Sequence, residues 1–304
     1  MTGISWKNPA RRLFRWYLSK FPLRDGKARA YAAWQEKLLP PQRFAVTAMD
    51  AGFTMELDLA DPEQRKLYFY RHYHERYEAR LLSWCLAPGE VFWDVGAHVG
   101  YFALLGAKAV GPAGRVVAFE PASGAWERLA RNVALNPGLP IFPVKAAVCD
   151  TPGQAVLYAA GETVDSSASL FTLAGETSRR EVVPTLTLDD FSQGPKERPP
   201  DFIKLDVEGA ELAALRGARE TLASFAPLLL VEIKEAICRA LGQGPHAIYD
   251  FLGELGYRPA GLHRGRWRLG REPGEILGRN VLFLNPDLTS HRERAARARV
   301  RGLS

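Results

Sequence analysis

Over most of the chain, short apolar runs alternate with longer segments of helical period. The run Val-Phe-Trp-Asp-Val from Val91 reads as a buried strand; Gly96-Ala-His-Val-Gly100 turns, and an apolar helical stretch follows to Val110. Then come a strand "RVVAFEP", a helix "SGAWERLARNVALN" with Ser123 as cap, and a strand "IFPVKAAV". Farther on lie a strand "DFIKLDV", a helix "AELAALRGARETL", a strand "PLLLVEI", a helix "HAIYDFLGELGY" and a last strand "NVLFLNP". Apolar strands alternating with helices predict an α/β fold: a mostly parallel sheet, Rossmann-like, with helices on both faces.

Two regions depart from this rhythm. Residues 1–45 read as helical and end at Pro40-Pro41. "FTMELDL" then alternates as a short strand, and Asp61-Pro62 opens a helix with Asp as cap and Pro at its first position. Tyr70, Tyr73, Tyr77 and Leu81 follow at helical spacing, as a core-facing stripe, until Pro88-Gly89. His72 and His74 lie in this helix, where residues two apart do not share a face, so packing or surface roles are expected rather than metal binding. The second departure spans about 151–200, where no long crossover helix is visible. "QAVLYAA" and "EVVPTLTL" read as strands and "LDDF" as one helical turn, so the insertion is expected to be a lid or a small side sheet. The expected organisation is a basic helical extension over 1–50, one catalytic-size domain over 51–290 with that insertion, and a flexible Arg-rich tail over 291–304.

Composition narrows the class. With 47% hydrophobic residues in 304, a large core can be buried. No apolar run reaches the roughly 18 residues that span a bilayer, and "ISWKNPARRLFRWYLSKF" mixes charge into its apolar residues, unlike a signal peptide. Cys85, Cys149 and Cys238 are scattered and odd in number, which points to a reduced, cytoplasmic setting. The net charge of +6 is uneven: residues 1–43 carry ten Lys/Arg against two acids, and residues 291–304 five Arg against one Glu, so the middle is acidic. A basic groove for nucleic acid is therefore not expected. Solvated basic ends are one reading. The other is peripheral contact with an anionic membrane, since "RRLFRWYLSKFPLR" interleaves Arg with aromatics.

The chemistry concentrates at the glycine turn. In an open α/β sheet, ligands bind beyond the carboxyl ends of strands where strand order reverses. Gly96 permits a tight turn, Gly100 permits close helix packing, and Glu120 ends the next strand, where a carboxylate can accept both ribose hydroxyls. A dinucleotide site wants G-x-G-x-x-G, and this turn, D-V-G-A-H-V-G, lacks the middle glycine. Asp94 directly before it disfavours a pyrophosphate and suits a ligand with a cationic end. S-adenosyl-L-methionine has an ammonium, a sulfonium, a ribose and no phosphate.

"FWDVGAHVGYFALLGAKAV", "AFEP", "DFIKLDVEGAELAALRGA" and "LLLVEI", in this order, resemble the FkbM family of S-adenosylmethionine-dependent methyltransferases. "KLDVEGAE" is the most specific part, and "SSASL" and "TLTLDDF" fit the same pattern. The resemblance covers roughly Gly52 to Pro286. It implies a seven-stranded class I methyltransferase sheet and methyl transfer, usually to a hydroxyl oxygen of a sugar or natural product. Asp94, Gly96, Ala97 and Gly100 match the cofactor loop, Glu120 the ribose acid, and Asp206, Glu208, Gly209 and Glu211 the second signature. His98 stands where Asn is more usual, and its ring can still hydrogen-bond the cofactor.

Methyl transfer to an alcohol needs a proton acceptor, or a metal that acidifies the hydroxyl. Asp206, Glu208 and Glu232 end neighbouring strands and are expected at one cleft mouth, with Lys204 on the same strand face as Asp206. Asp206 and Glu208 are the leading catalytic pair. Asp206 could instead contact the cofactor, Glu208 could be a helix-start charge, and Glu232 could pair with a basic neighbour. A divalent metal on the three carboxylates is chemically possible, though no spacing demands one. A small-molecule or glycan hydroxyl is the expected acceptor; neither its identity nor the oligomeric state follows from the sequence. Two rivals remain: a nicotinamide-dependent oxidoreductase on a similar sheet, and a non-catalytic binding module.

Overall fold

A computed structural model describes residues 8–22, 25–73, 76–160, 178–195, 197–244, 246–270, 275–276 and 279–302. Helices α1 (Pro9–Lys20) and α2 (Lys27–Trp34) precede the hairpin β1 (Phe44–Ala48) and β2 (Thr54–Asp58), and then α3 (Pro62–Tyr70) and α4 (Arg76–Cys85). Next come β3 (Val91–Val95), α5 (Tyr101–Val110), β4 (Arg115–Phe119), α6 (Ser123–Ala134), β5 (Ile141–Val144) and β6 (Ala147–Val148). The insertion holds β7 (Gly153–Ala160), β8 (Ser178–Leu186) and α7 (Leu188–Ser192). The chain continues through β9 (Phe202–Leu205), α8 (Glu211–Arg216), α9 (Arg219–Phe225), β10 (Leu228–Glu232), α10 (Glu235–Ala240), α11 (Ala247–Glu254), β11 (Arg258–His263), β12 (Arg266–Leu269), β13 (Asn280–Leu284) and α12 (Thr289–Arg297).

The main sheet has eight strands in the order β12-β11-β13-β10-β9-β3-β4-β5. Strands β5, β4, β3, β9 and β10 run parallel, and β13 is antiparallel to both its neighbours. This is the α/β sheet expected, with one more strand, because β11 folds back on itself to add β12 at the edge. The order reverses between β3 and β9, so the ends of these two strands flank the natural crevice. Side chains of β3 alternate between the two layers. Phe92 packs with α5 and the N-terminal helices, whereas Val91, Trp93 and Val95 join the opposite core under α8, α9 and α11.

The insertion is a side sheet, β6-β8-β7, and "LDDF" is a single helical turn capped by Thr187. The stretch "SSASL" lies outside the described residues. The helix from Asp61 does start as predicted, with Asp61 capping the Gln64 N–H. It does not run through: Arg71 turns left-handed (φ 61°) and splits it into α3 and α4, so His72 sits in the break, its ring bonded to the Tyr73 carbonyl. Burial lowers the His72 pKa. His74 lies outside the described residues. The helix after the second signature is also split, at Gly217, where a Cβ would fall 2.1 Å from the Cys149 carbonyl oxygen. Ser123 begins α6 instead of capping it; its hydroxyl bonds Glu181 of the side sheet.

The N-terminal extension ends in a strand, β1, and is fastened to the domain. Asn132 of α6 and Asn136 just after it act as a substitute strand edge for β2: Asn132 Oδ1 accepts the Glu56 N–H at 2.7 Å, and Asn136 both accepts from and donates to Thr54. Much of the N-terminal positive charge is consumed the same way. Arg11 donates to the Leu38 and Leu39 carbonyls, Arg15 to the Tyr68 carbonyl, Lys27 to the Leu18 and Phe21 carbonyls, and Arg43 pairs with buried Asp58.

The Arg-rich tail, expected to be flexible, is helical over most of its described length and packs on the domain. Helix α12 docks on α4, where Arg297 donates to the Trp84 and Cys85 carbonyls, and Arg294 binds Glu90 at 2.8 Å and Asp201 at 2.7 Å. His291 is buried, accepting the Asn285 N–H and bonding the Ala226 carbonyl, and burial pushes its pKa down to about 4. Arg301 then pairs with the edge of β12. Five arginines mark this segment as solvated by composition, but the partners of Arg294 and Arg297 lie some 90 to 210 residues away in the chain, beyond the reach of local pattern.

Candidate active site

The residues after β3, β4, β9 and β10 enclose a cleft of about 330 Å³, within the roughly 300–1,000 Å³ usual for ligand sites. One wall is the glycine turn. Gly96 (φ +84°) has no room for a side chain, since a Cβ would meet the Asp206 carbonyl oxygen at 1.8 Å. Its absent side chain therefore lets the ends of β3 and β9 touch. Gly100 (φ +91°) caps α5, and a Cβ there would lie 2.7 Å from Leu129. His98 is left-handed too (φ 50°), a conformation that Asn, Asp and His tolerate better than most, which explains why His can stand at this position.

Most of the amide groups of this turn are already spent. Gly96 and Ala97 N–H both donate to the Phe119 carbonyl, His98 N–H to Glu120 Oε2 at 2.8 Å, and Gly100 N–H to the Ala97 carbonyl. A phosphate-binding nest needs such groups turned outward. This geometry is therefore not that of a pyrophosphate site, in agreement with the missing middle glycine.

Two carboxylates stand beside the turn. Asp94 is fully buried, and neither of its oxygens makes a hydrogen bond of good geometry; the Ala103 N–H of α5 approaches it more loosely. Burial raises its pKa to about 6, opposed by the Lys204 ammonium opposite it on β9. Glu120, just past β4, accepts the Ala122 N–H as well as that of His98, which leaves each oxygen a second lone pair. Burial raises its pKa to about 7 despite those two bonds.

The facing wall is built differently. Lys204 is buried on β9, and its Nζ donates to Asp206 Oδ2 at 3.0 Å. Burial works against ionised Asp206, but Lys204, a hydrogen bond with Glu232 and the nearby Lys234 outweigh it and hold the pKa low. Glu232 responds oppositely: burial and the Asp206 charge push its pKa up, so the pair holds one proton between them at neutral pH. Lys234 Nζ lies 2.5 Å from Glu208 Oε2 and 3.0 Å from Glu232 Oε2. Burial raises the Glu208 pKa, against the pull of Lys234.

The structure thus brings Asp94, Gly96, Ala97, His98 and Glu120 to one side of the cleft and Asp206, Glu208 and Glu232 to the other. Gly100 belongs to the packing behind the turn. Glu208 is not a helix-start charge: it sits left-handed (φ 53°) in the turn before α8 and faces Lys234. The helix-start acid is Glu211, buried, whose Oε1 accepts the Val207 and Gly209 N–H groups and so fixes the turn that presents Glu208. Sequence reasoning missed Lys234, although its alternation with Glu232 in "VEIK" was a usable signal. It also missed Glu63, Gln64, Leu67 and Tyr73, by which the N-terminal part lines the cleft. Their approach depends on the docking of α3, which no local pattern announces.

Comparison with known proteins places the chain in a family. Residues 94–259, more than half the chain, match the family model described as the methyltransferase FkbM domain. The chain is 26% identical over 200 residues to the hexuronic acid methyltransferase AglP of Haloferax volcanii, covering 66% of this chain and 74% of that protein. It is 29% identical over 144 residues to Methyltransferase 1 of Beauveria bassiana, covering 41% of this chain and 56% of that protein. Among solved structures, the methyltransferase FkbM from Methylobacillus flagellatus KT aligns with a TM-score of 0.40 at 19% identity, over 64% of this chain and 43% of that one.

Proposed function

We infer that this chain, which belongs to the methyltransferase FkbM family, moves a methyl group from S-adenosyl-L-methionine to a hydroxyl oxygen of a sugar, glycolipid or natural-product acceptor. The observation that carries the reading is the Asp94 carboxylate, buried with neither oxygen in a hydrogen bond of good geometry, beside Glu120 and across the cleft from the Asp206 cluster. A buried acid with so little hydrogen bonding is costly to keep unless a ligand completes it. An ammonium-bearing ligand with a ribose fits the Asp94 and Glu120 pair. When bound, S-adenosyl-L-methionine supplies a methyl group on a sulfonium, already activated for in-line displacement.

The rest of the chemistry falls to positioning and to one proton. Glu120 holds the ribose hydroxyls. Glu208 is the acceptor-side base, since its raised pKa makes it a better proton acceptor than Asp206, which is held strongly ionised. Asp206 orders the wall: it fixes Lys204 between itself and Asp94, and takes the hydrogen bond of protonated Glu232. The acceptor lies against Glu208 and the side chains from α3. The hydroxyl class is supported by the base-bearing wall, and a sugar acceptor by the hexuronic acid methyltransferase of Haloferax volcanii. Among the described residues no helix is long and apolar enough to cross a membrane.

A mass-shift screen tests this. The protein is incubated with S-adenosyl-L-methionine and a panel of monosaccharides, uronic acids, glycolipids and polyketide-type alcohols, and products are examined for an O-methyl group. Transfer to a hydroxyl supports the reading. Transfer only to amines, or binding of NADH in place of S-adenosylhomocysteine, overturns it.

A further inference from the structure

The acceptor-side wall has a lysine where its acids converge. One oxygen from each of Asp206, Glu208 and Glu232 lies within 4.8 Å of the others. Three carboxylates this close repel unless cations or protons intervene. A hard divalent ion is one solution, with oxygen ligands at about 2.0–2.6 Å. Here the position is taken from within the chain: Lys234 Nζ contacts Glu208 at 2.5 Å and Glu232 at 3.0 Å. We propose that the Lys234 ammonium stands where a divalent cation would otherwise bind, so that this chain gathers its acceptor-side carboxylates without a metal.

Charge balance and placement both support this. The three carboxylates face the ammonium groups of Lys204, 3.0 Å from Asp206, and Lys234, so two cations of the chain already offset them. A divalent ion would have to displace an ammonium already bonded to two of its three ligands. Lys234 follows Glu232 by two positions and sits directly before α10, so the end of β10 aims both side chains at one point. Its side chain is 19% exposed, within reach of solvent yet covered enough for its ion pairs to count. Lys234 acts through Glu208 and Glu232 and is a positioning residue.

The inference stands on the cluster's geometry and needs no knowledge of the acceptor, so it can fail while the methyl-transfer reading survives. Mn²⁺ is the probe, followed by electron paramagnetic resonance and by thermal unfolding of the full chain. The wild type is expected to bind no stoichiometric Mn²⁺ and to keep its Tm when Mn²⁺ is added. Lys234→Ala is expected to gain a single Mn²⁺ site at least about tenfold tighter than any wild-type binding, with a Tm that rises on adding the ion. The double variant Lys234→Ala with Glu208→Gln should lose that site again. Should Lys234→Ala fail to fold, Lys234→Gln removes the charge while keeping a donor. Stoichiometric Mn²⁺ binding by the wild type that is abolished by Glu208→Gln overturns the proposal. So does a Lys234 variant that folds and binds Mn²⁺ no better than the wild type.

Discussion

The two walls of the cleft spend their charges in opposite ways. At the ends of β3 and β4, Asp94 makes no hydrogen bond of good geometry and Glu120 keeps lone pairs open, and burial raises the pKa of both. At the ends of β9 and β10, each acid meets a lysine or a shared proton: Asp206 with Lys204, Glu208 with Lys234, and Glu232 with Lys234 and Asp206. The first wall is incomplete without a ligand. The second is balanced in advance. The difference teaches where each part of the reaction belongs. A cofactor that brings its own cation completes the unbalanced wall, while a neutral hydroxyl can approach the balanced one without disturbing its charge.

The comparison breaks most visibly at Glu208. Glu208→Gln should lower single-turnover methyl transfer at saturating cofactor by about 10²–10⁴-fold, with affinity for S-adenosylhomocysteine unchanged. A near-normal rate would move the base elsewhere on that wall, with Glu232 next. Asp206→Asn should disturb both walls, because it frees Lys204 beside Asp94.

Gly96 joins the walls, so its loss should damage both together. In Gly96→Ala the new methyl meets the Asp206 carbonyl oxygen in a left-handed residue. Overpacking and the left-handed penalty together come to about 2–5 kcal/mol. Thermal unfolding and cofactor titration should both worsen; an unchanged Tm would mean that the two strand ends are not in contact.

A smaller effect separates the walls by pH. Asp94 and Glu120 have folded pKa values raised from ordinary carboxylate values to about 6 and about 7. Between those limits the folded, ligand-free protein binds more protons than the unfolded chain. Their contribution to stability is therefore full below about pH 4 and is lost as pH rises towards 7, by at most about 1.4 kcal/mol per unit for each group. S-adenosylhomocysteine should bind the ionised form of Glu120. The Tm increase it causes should accordingly grow from about pH 5.5 to about pH 8, and an increase that shrinks over this range would contradict the assignment.

Much of the unbalanced wall was legible in the sequence because it is local. A strand, an acid, a tight turn and a second acid at the next strand end need only a few consecutive residues each. Asp206 and Glu208 were legible for the same reason. What escaped was long-range. Lys234 matters because β10 lies beside β9, and Tyr73 and Gln64 matter because α3 packs over the cleft. The charge count at the N-terminus misled in the same way: Arg11, Arg15 and Lys27 look like surface charge in sequence, yet each donates to backbone carbonyls that only the folded extension brings near. The left-handed Arg71 that divides α3 from α4 leaves the apolar spacing intact, so periodicity alone reads through it.

The central claim is that the unbalanced wall is a cofactor site. Isothermal titration of S-adenosylhomocysteine into the wild type and into Glu120→Ala, with folding of the variant checked by its Tm, tests it most directly. The wild type should bind, and removal of the carboxylate should cost about 1.5–3 kcal/mol, the range for hydrogen bonds to a charged group. Equal affinities in a folded variant would contradict the account.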